Sequence, residues 1–177
     1  ALSRSDLLLF RRGPNHYKYF TGYKKSKAMD FGTLLHQIIL EPDKPLEYSV
    51  KPEGMNLATK EGKEWKKAAK PTILTEQEYN DLLCISHAFK SHPTCSVFLK
   101  ESVFEYETYF DLLDVPCKAK LDITNKSLNA VIDLKTSRHL NPRQLRYEYR
   151  DRGVDLQAGF YTLATGLQDF YVVYLLK

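Results

Sequence analysis

Asp122, Asp133 and Lys135 are the residues whose types and spacing could do chemistry. In VIDLKTS, residues 131–137, an acid and a lysine stand two positions apart inside an apolar run. In CKAKLDIT, 117–124, Asp122 precedes Asp133 by eleven residues. A strand turns successive side chains to opposite faces, so Asp133 and Lys135 share one face while Ile132, Leu134 and Thr136 share the other. Charges in a buried strand cost free energy unless they are paired, hydrogen-bonded or metal-bound. The same alternation puts Glu105 and Glu107 on one face of VFEYETYFD. It sets Lys118, Lys120 and Asp122 opposite Cys117, Ala119, Leu121 and Ile123. If the acidic faces coincide, Glu105 or Glu107, Asp122 and Asp133 meet beside Lys135. Carboxylates that close repel unless a cation sits among them. Hard oxygen ligands with open positions suit Mg²⁺ or Mn²⁺. Such an ion beside a lysine serves phosphodiester hydrolysis: the ion lowers the pKa of a bound water and neutralises charge on the phosphate, and the lysine orients the water.

These acids need elements to position them. LSRSDLLLFRRGP reads as a short helix capped by Ser3 or Ser5 and stopped at Gly13-Pro14. MDFGTLLHQIILEPDKP has the leucine and isoleucine content of a buried helix, closed by Pro42 and Pro45. ATKEGKEWKKAAK reads as an exposed helix, and TEQEYNDLLCISHAFKSHP as an amphipathic one opened by the capping-box pair Thr75 and Glu78. From residue 102 the period becomes two. SVFEYETYFDLL, VPCKAKLDIT and NAVIDLKTS read as three strands, the last two joined at Asn125 to Ser127 as a hairpin. NPRQLRYEYRD opens a helix with Asn141 as cap and Pro142 in the first turn. VDLQAGFYTLATG is a helix ending at Gly166, and DFYVVYLLK is a final strand. This order predicts one α/β domain over residues 1–177, with helices packed around a mixed central sheet. The apolar run at the C-terminus has no turn or polar tail after it, which predicts a fragment with further residues missing there.

Composition narrows the class. The chain has 177 residues, 43% hydrophobic and 27% charged, within the range of ordinary globular domains. A formal net charge of +4 is compatible with a polyanionic partner and common without one. The cysteines, Cys84, Cys95 and Cys117, lack CxxC spacing, which argues against a disulfide framework, a zinc ribbon or a four-thiolate cluster. A reduced, cytoplasmic setting is expected. No segment has the uninterrupted apolar length of a membrane span, and the N-terminus lacks a signal-peptide pattern.

LD at 121–122 followed by DLK at 133–135 resembles the PD-(D/E)xK nuclease signature. Within that superfamily the chain resembles the RecE-type exonucleases, also called exodeoxyribonuclease VIII, and their phage relatives. A bare D-x(10)-D-x-K arises by chance. The ordered set LSRSDL, GTLLHQIILEP, CKAKLD, IDLKTS and LQAGFYTLATG, which spans nearly the whole chain, is specific. The resemblance implies that His36, Asp122 and Asp133 are metal ligands, joined by the Leu134 carbonyl, and that Lys135 is the catalytic lysine. It places Gln157 and Tyr161 near the site, and their i, i+4 spacing puts both on one helix face. The strand acid is Glu105 or Glu107; alignment to Tyr109-Phe110 favours Glu105. Leu121 stands where the family usually has proline. The resemblance further implies Mg²⁺, with Mn²⁺ as substitute, and 5′-to-3′ exonuclease action on duplex DNA in phage or bacterial recombination. A ring-shaped homo-oligomer threaded by DNA and a single-strand annealing protein as partner are implied with it. A RecB-like or Cas4-like nuclease is the alternative within the superfamily, although the latter carries four cluster cysteines that this chain lacks.

Plainer readings exist for each residue. Asp133 and Lys135 could be an exposed cross-strand charge pair, which is common and weak. His36, between Leu35 and Ile39, could be a hydrogen-bonded core histidine. Arg143, Arg146 and Arg150 form one helix stripe that could grip DNA phosphates or simply be solvated. Tyr17, Tyr19, Phe20 and Tyr23 could stack bases, with packing the plainer role. A catalytically inactive nucleic-acid-binding module on the same fold is the reading from another class.

Overall fold

The computed structural model describes residues 1–22 and 26–177, and its elements begin where side chains offer a cap. Helix α1 (Arg4–Arg12) opens on a capping box between Ser3 and Asp6 and stops at Gly13; helix α2 (Pro14–Lys18) follows. Helix α3 (Lys27–Leu40), capped by Ser26, turns Phe31, Leu34, Leu35 and Ile39 inward. After β1 (Tyr48–Val50), α4 (Lys60–Ala68) and β2 (Thr72–Leu74), helix α5 (Glu76–Ser91) starts on the expected Thr75/Glu78 box. Then come α6 (Pro93–Leu99), β3 (Ser102–Leu112), β4 (Val115–Asn125), β5 (Ala130–Ser137), α7 (Pro142–Asp151), α8 (Val154–Thr165) and β6 (Asp169–Leu176).

The architecture is the expected α/β arrangement around a mixed sheet. Its strand order is β3-β4-β5-β6, antiparallel but for the parallel pair β5 and β6; β1 and β2 form a separate parallel pair. Helices α3 and α5 cover one face through a core containing Leu35, Leu82, Ile123, Ile132 and Leu134. Helix α8 covers the other, where Phe160 and Tyr161 pack on Cys117, Ala119, Leu121 and Val131. Gly153, at φ 60, turns the chain from α7 into α8, and a Cβ there would meet Leu8 Cδ1 at 2.7 Å.

Simple alternation fails at one level of the sheet. It predicts that Leu121 and Ile123 share a face, yet Leu121 packs beneath α8 and Ile123 beneath α3 and α5. Strand β3 switches at the same level: Phe104 joins the α3 core and Phe110 the α8 core. The register on either side, Phe104 with Ile123 and Tyr106 with Leu121, sets Glu105 across from Asp122. Glu105 has φ 50, a left-handed conformation that costs a non-glycine residue roughly 1–2 kcal/mol. Both acids sit where the ribbon changes its buried face. Glycine at 105 would relieve the strain, so Glu105→Gly is expected to be about 0.5–1 kcal/mol more stable than Glu105→Gln in urea unfolding. Equal stabilities would mean that the left-handed backbone stores no strain.

The β3–β4 turn has a related feature. Leu112 pairs with Val115, and the two residues between, Leu113 and Asp114, both have positive φ, 49 and 61. A type I′ hairpin turn wants Asn-Gly there. The double substitution Leu113→Asn with Asp114→Gly should therefore raise stability by about 1 kcal/mol, read as a shift in the urea midpoint at unchanged m-value.

Candidate metal centre

The β4–β5 ladder runs only from Asn125–Ala130 to Ile123–Ile132, and the strands part at the level of the two aspartates. Into that fork Asp122 inserts its carboxylate, whose Oδ2 accepts from the Leu134 N–H at 2.8 Å. From α3, His36 places Nε2 2.9 Å from the Leu134 carbonyl oxygen and Nδ1 3.6 Å from Asp122 Oδ2. A carbonyl can only accept, so Nε2 carries the hydrogen, and a neutral ring presents the Nδ1 lone pair toward the carboxylate. Glu105 completes the group: one ligand atom each from His36, Glu105 and Asp122 lies within 4.8 Å of the others. Three acceptors facing one point, two carboxylates and an imidazole nitrogen, is an arrangement that a divalent metal ion satisfies. Of the two strand acids, Glu105 lines the cleft, whereas Glu107 is exposed and stands across from Lys120 in the ladder.

Asp122 is pushed up to about 6, chiefly by burial, with the charge of Asp133 adding to the rise. Lys120 holds Glu105 in an ion pair at 2.6 Å, and that bond raises the Lys120 ammonium above its ordinary value.

Asp133 lies behind this centre. Only 4% exposed, it does not line the cleft. Its Oδ1 accepts from Gln157 Nε2 at 2.5 Å; its Oδ2 has no hydrogen bond of good geometry but is held as an ion pair by Lys135 Nζ at 2.5 Å. Gln157 Oε1 accepts from the same ammonium at 3.0 Å, so one amide bridges acid and lysine. Tyr161 stands one helical turn on, against Gln157, its hydroxyl raised above the usual tyrosine value mainly by burial. Of the ligands that resemblance implies, the structure converges His36 and Asp122 with Glu105, turns Asp133 toward Gln157 and Lys135, and engages the Leu134 carbonyl with His36.

The centre opens on a cleft of about 920 Å³. His36, Glu105, Asp122, Leu134 and Lys135 line it, with Arg4, Arg138, Glu148, Arg152 and Lys177, which the sequence analysis did not single out. Arg138 directly follows the DLKTS strand, and the i, i+4 pair Glu148 and Arg152 was the other available signal. Arg143, Arg146 and Arg150 are exposed on α7 and do not line the cleft. Of the aromatic stretch, Tyr17, Tyr19 and Phe20 are exposed, and Tyr23 lies outside the described residues. No helix of the described residues is long and apolar enough to cross a membrane.

No curated protein matches the chain. A crystal structure of a candidate exonuclease from Eubacterium rectale superposes with a TM-score of 0.61 at 15% identity, over 98% of this chain and 66% of that one. The family described as a PDDEXK-like domain of unknown function (DUF3799) matches residues 10–169. The forked strands, the acids at the fork and this match together place the chain in that family, within the PD-(D/E)xK nuclease superfamily.

Proposed function

We propose that the protein is a metal-dependent deoxyribonuclease, an exonuclease that hydrolyses phosphodiester bonds of linear duplex DNA. The observation that carries this reading is the convergence of His36, Glu105 and Asp122 on one point, with Lys135 on the same cleft wall. Those three residues would hold Mg²⁺, or Mn²⁺ in its place. When bound, such an ion lowers the pKa of a coordinated water and neutralises charge building on the phosphate. Lys135 Nζ donates to Gln157 Oε1 and is held in an ion pair by Asp133 Oδ2, on the side away from the cleft. Held from behind in this way, the ammonium can direct an N–H toward the attacking water or a phosphate oxygen in the cleft that it lines. Asp133 and Gln157 therefore position the lysine. The naming of the Eubacterium rectale protein supports the exonuclease reading. A 5′-to-3′ polarity, a role in recombination or repair, a ring of identical subunits and a single-strand annealing partner rest on the resemblance to RecE-type enzymes.

The test is digestion of linear duplex DNA labelled at the 5′ or the 3′ end, with Mg²⁺, with EDTA, and with Asp122→Asn. Metal-dependent release of label that the variant abolishes is the expected result, the 5′ label leaving first as mononucleotide. DNA that stays intact in both Mg²⁺ and Mn²⁺, yet is still retarded by folded protein, would make this a binding module instead.

A further inference from the structure

We infer that Arg138, Arg152 and Lys177 form a phosphate-binding subsite at the carboxyl ends of β5 and β6, which takes a phosphate of the nucleic-acid chain beside the metal centre. The identity of the ligand rests on the nuclease reading; the anion site itself rests on how the backbone gathers these cations.

The parallel ladder ends at Ser137 with Leu176, and the Lys177 N–H donates to the Ser137 carbonyl at 3.0 Å. Arg138 and Lys177 thus leave adjacent strands side by side. Arg152 reaches the same strand end from the α7–α8 junction: its Nη1 donates to the Thr136 carbonyl at 3.3 Å, and Nη2 pairs with Glu148 at 3.2 Å. Lys177 extends across Phe31, its Nζ 5.4 Å from the ring centroid. All three side chains line the cleft that holds His36, Glu105, Asp122 and Lys135.

Their charges are poorly balanced. Among the described residues, neither Arg138 nor Lys177 has a carboxylate within ion-pair distance, while Glu148 is already engaged by Arg152 and by the Ser137 hydroxyl. Burial, followed by the charges of Arg138 and Arg152, holds the Lys177 ammonium below its ordinary value. Cations gathered this way repel until an anion joins them. The Arg138 guanidinium fork, the Lys177 ammonium and the N–H groups of Arg152 that Thr136 and Glu148 leave over match the several oxygens of a phosphate better than a single carboxylate. The acids of the metal centre line the same cleft, so a phosphate held here would belong to a chain that also passes the ion ligands.

The experiment measures binding of a short labelled duplex in EDTA, where nothing is cleaved, across a salt series. The proteins are wild type, Arg138→Gln/Lys177→Gln, and Arg143→Gln/Arg146→Gln on α7. The first pair is expected to weaken binding roughly tenfold or more and to lower the salt slope by about 1–2, with the circular dichroism spectrum unchanged; the α7 pair should do neither. Duplexes with a 5′-phosphate or a 5′-hydroxyl separate the two sources of the anion. Loss confined to the phosphorylated end assigns a terminal phosphate, and equal loss an internal one; either supports the subsite. Unchanged affinity and slope in Arg138→Gln/Lys177→Gln, or loss shifted to the α7 pair, overturns it. Wild-type protein that binds through these residues but cleaves nothing in Mg²⁺ or Mn²⁺ sinks the nuclease reading alone. Failure to bind DNA at all sinks both.

Discussion

Asp122→Asn is expected to abolish metal-dependent cleavage, a loss of roughly 10²–10³-fold or more, while making the metal-free protein more stable at neutral pH. The carboxyl is raised from the ordinary aspartate value of 3.8 to about 6, mainly because its ionised form is buried. Between those values the folded chain binds a proton that the unfolded chain has released. Stability therefore falls as pH rises through that window, and above it the full cost of the buried charge is present. At 1.36 kcal/mol per pKa unit, that cost is about 3 kcal/mol. Asparagine carries no charge, and its side-chain oxygen can still accept from the Leu134 N–H that Asp122 engages. Guanidinium unfolding in EDTA should show the two proteins nearly equal near pH 4 and the variant ahead by about 2–3 kcal/mol near pH 7.5. Adding Mg²⁺ should close the gap by stabilising only the wild type. A variant that is weaker at pH 7.5 without metal would mean that Asp122 serves folding rather than ion binding.

Removing Lys135 should have the opposite effect on the fold. The lysine and Asp133 side chains are 11% and 5% exposed, and the ammonium is what holds Asp133 Oδ2. Lys135→Ala leaves a buried carboxylate uncompensated, which typically costs about 3–5 kcal/mol. Adding Asp133→Asn to that chain removes the stranded charge and should restore most of the stability, while cleavage stays lost. Denaturation of the two single variants and the double variant gives the coupling directly. Additive losses would show that acid and lysine act separately and would end the view of Asp133 as the residue that positions Lys135.

Much of this architecture is legible in local chemistry. The Thr75/Glu78 box, the Asn141 cap with Pro142 behind it, and the alternation in VIDLKTS, which sends Ile132 and Leu134 to one core and Val131 to the other, are rules obeyed within a few residues, and the structure follows them. The β1–β2 pair has only three residues per strand, too few to show a period. The face switch was hidden because the left-handed residue at its level in β3, Glu105, has a side chain that gives no hint of positive φ, and β4 switches with no marker residue at all. Nor could alternation tell which of two facing acids turns to the cleft. That follows from Gln157, twenty-four residues beyond Asp133, which claims one of its oxygens. Arg138, Arg152 and Lys177 were missed because separate elements carry them and no spacing rule connects them.

The ligands of the metal centre differ in how far along the chain they must travel to meet. Glu105 and Asp122 face each other across a hairpin closed by a two-residue turn, a local contact that can form early. His36 comes from α3, and its anchor, the Leu134 carbonyl, lies 98 residues away. The centre is therefore complete only when α3 has docked on the sheet, which closes a longer loop than the hairpin does. A divalent ion would then act mainly as a latch on the finished fold, slowing escape from the native state rather than hastening arrival.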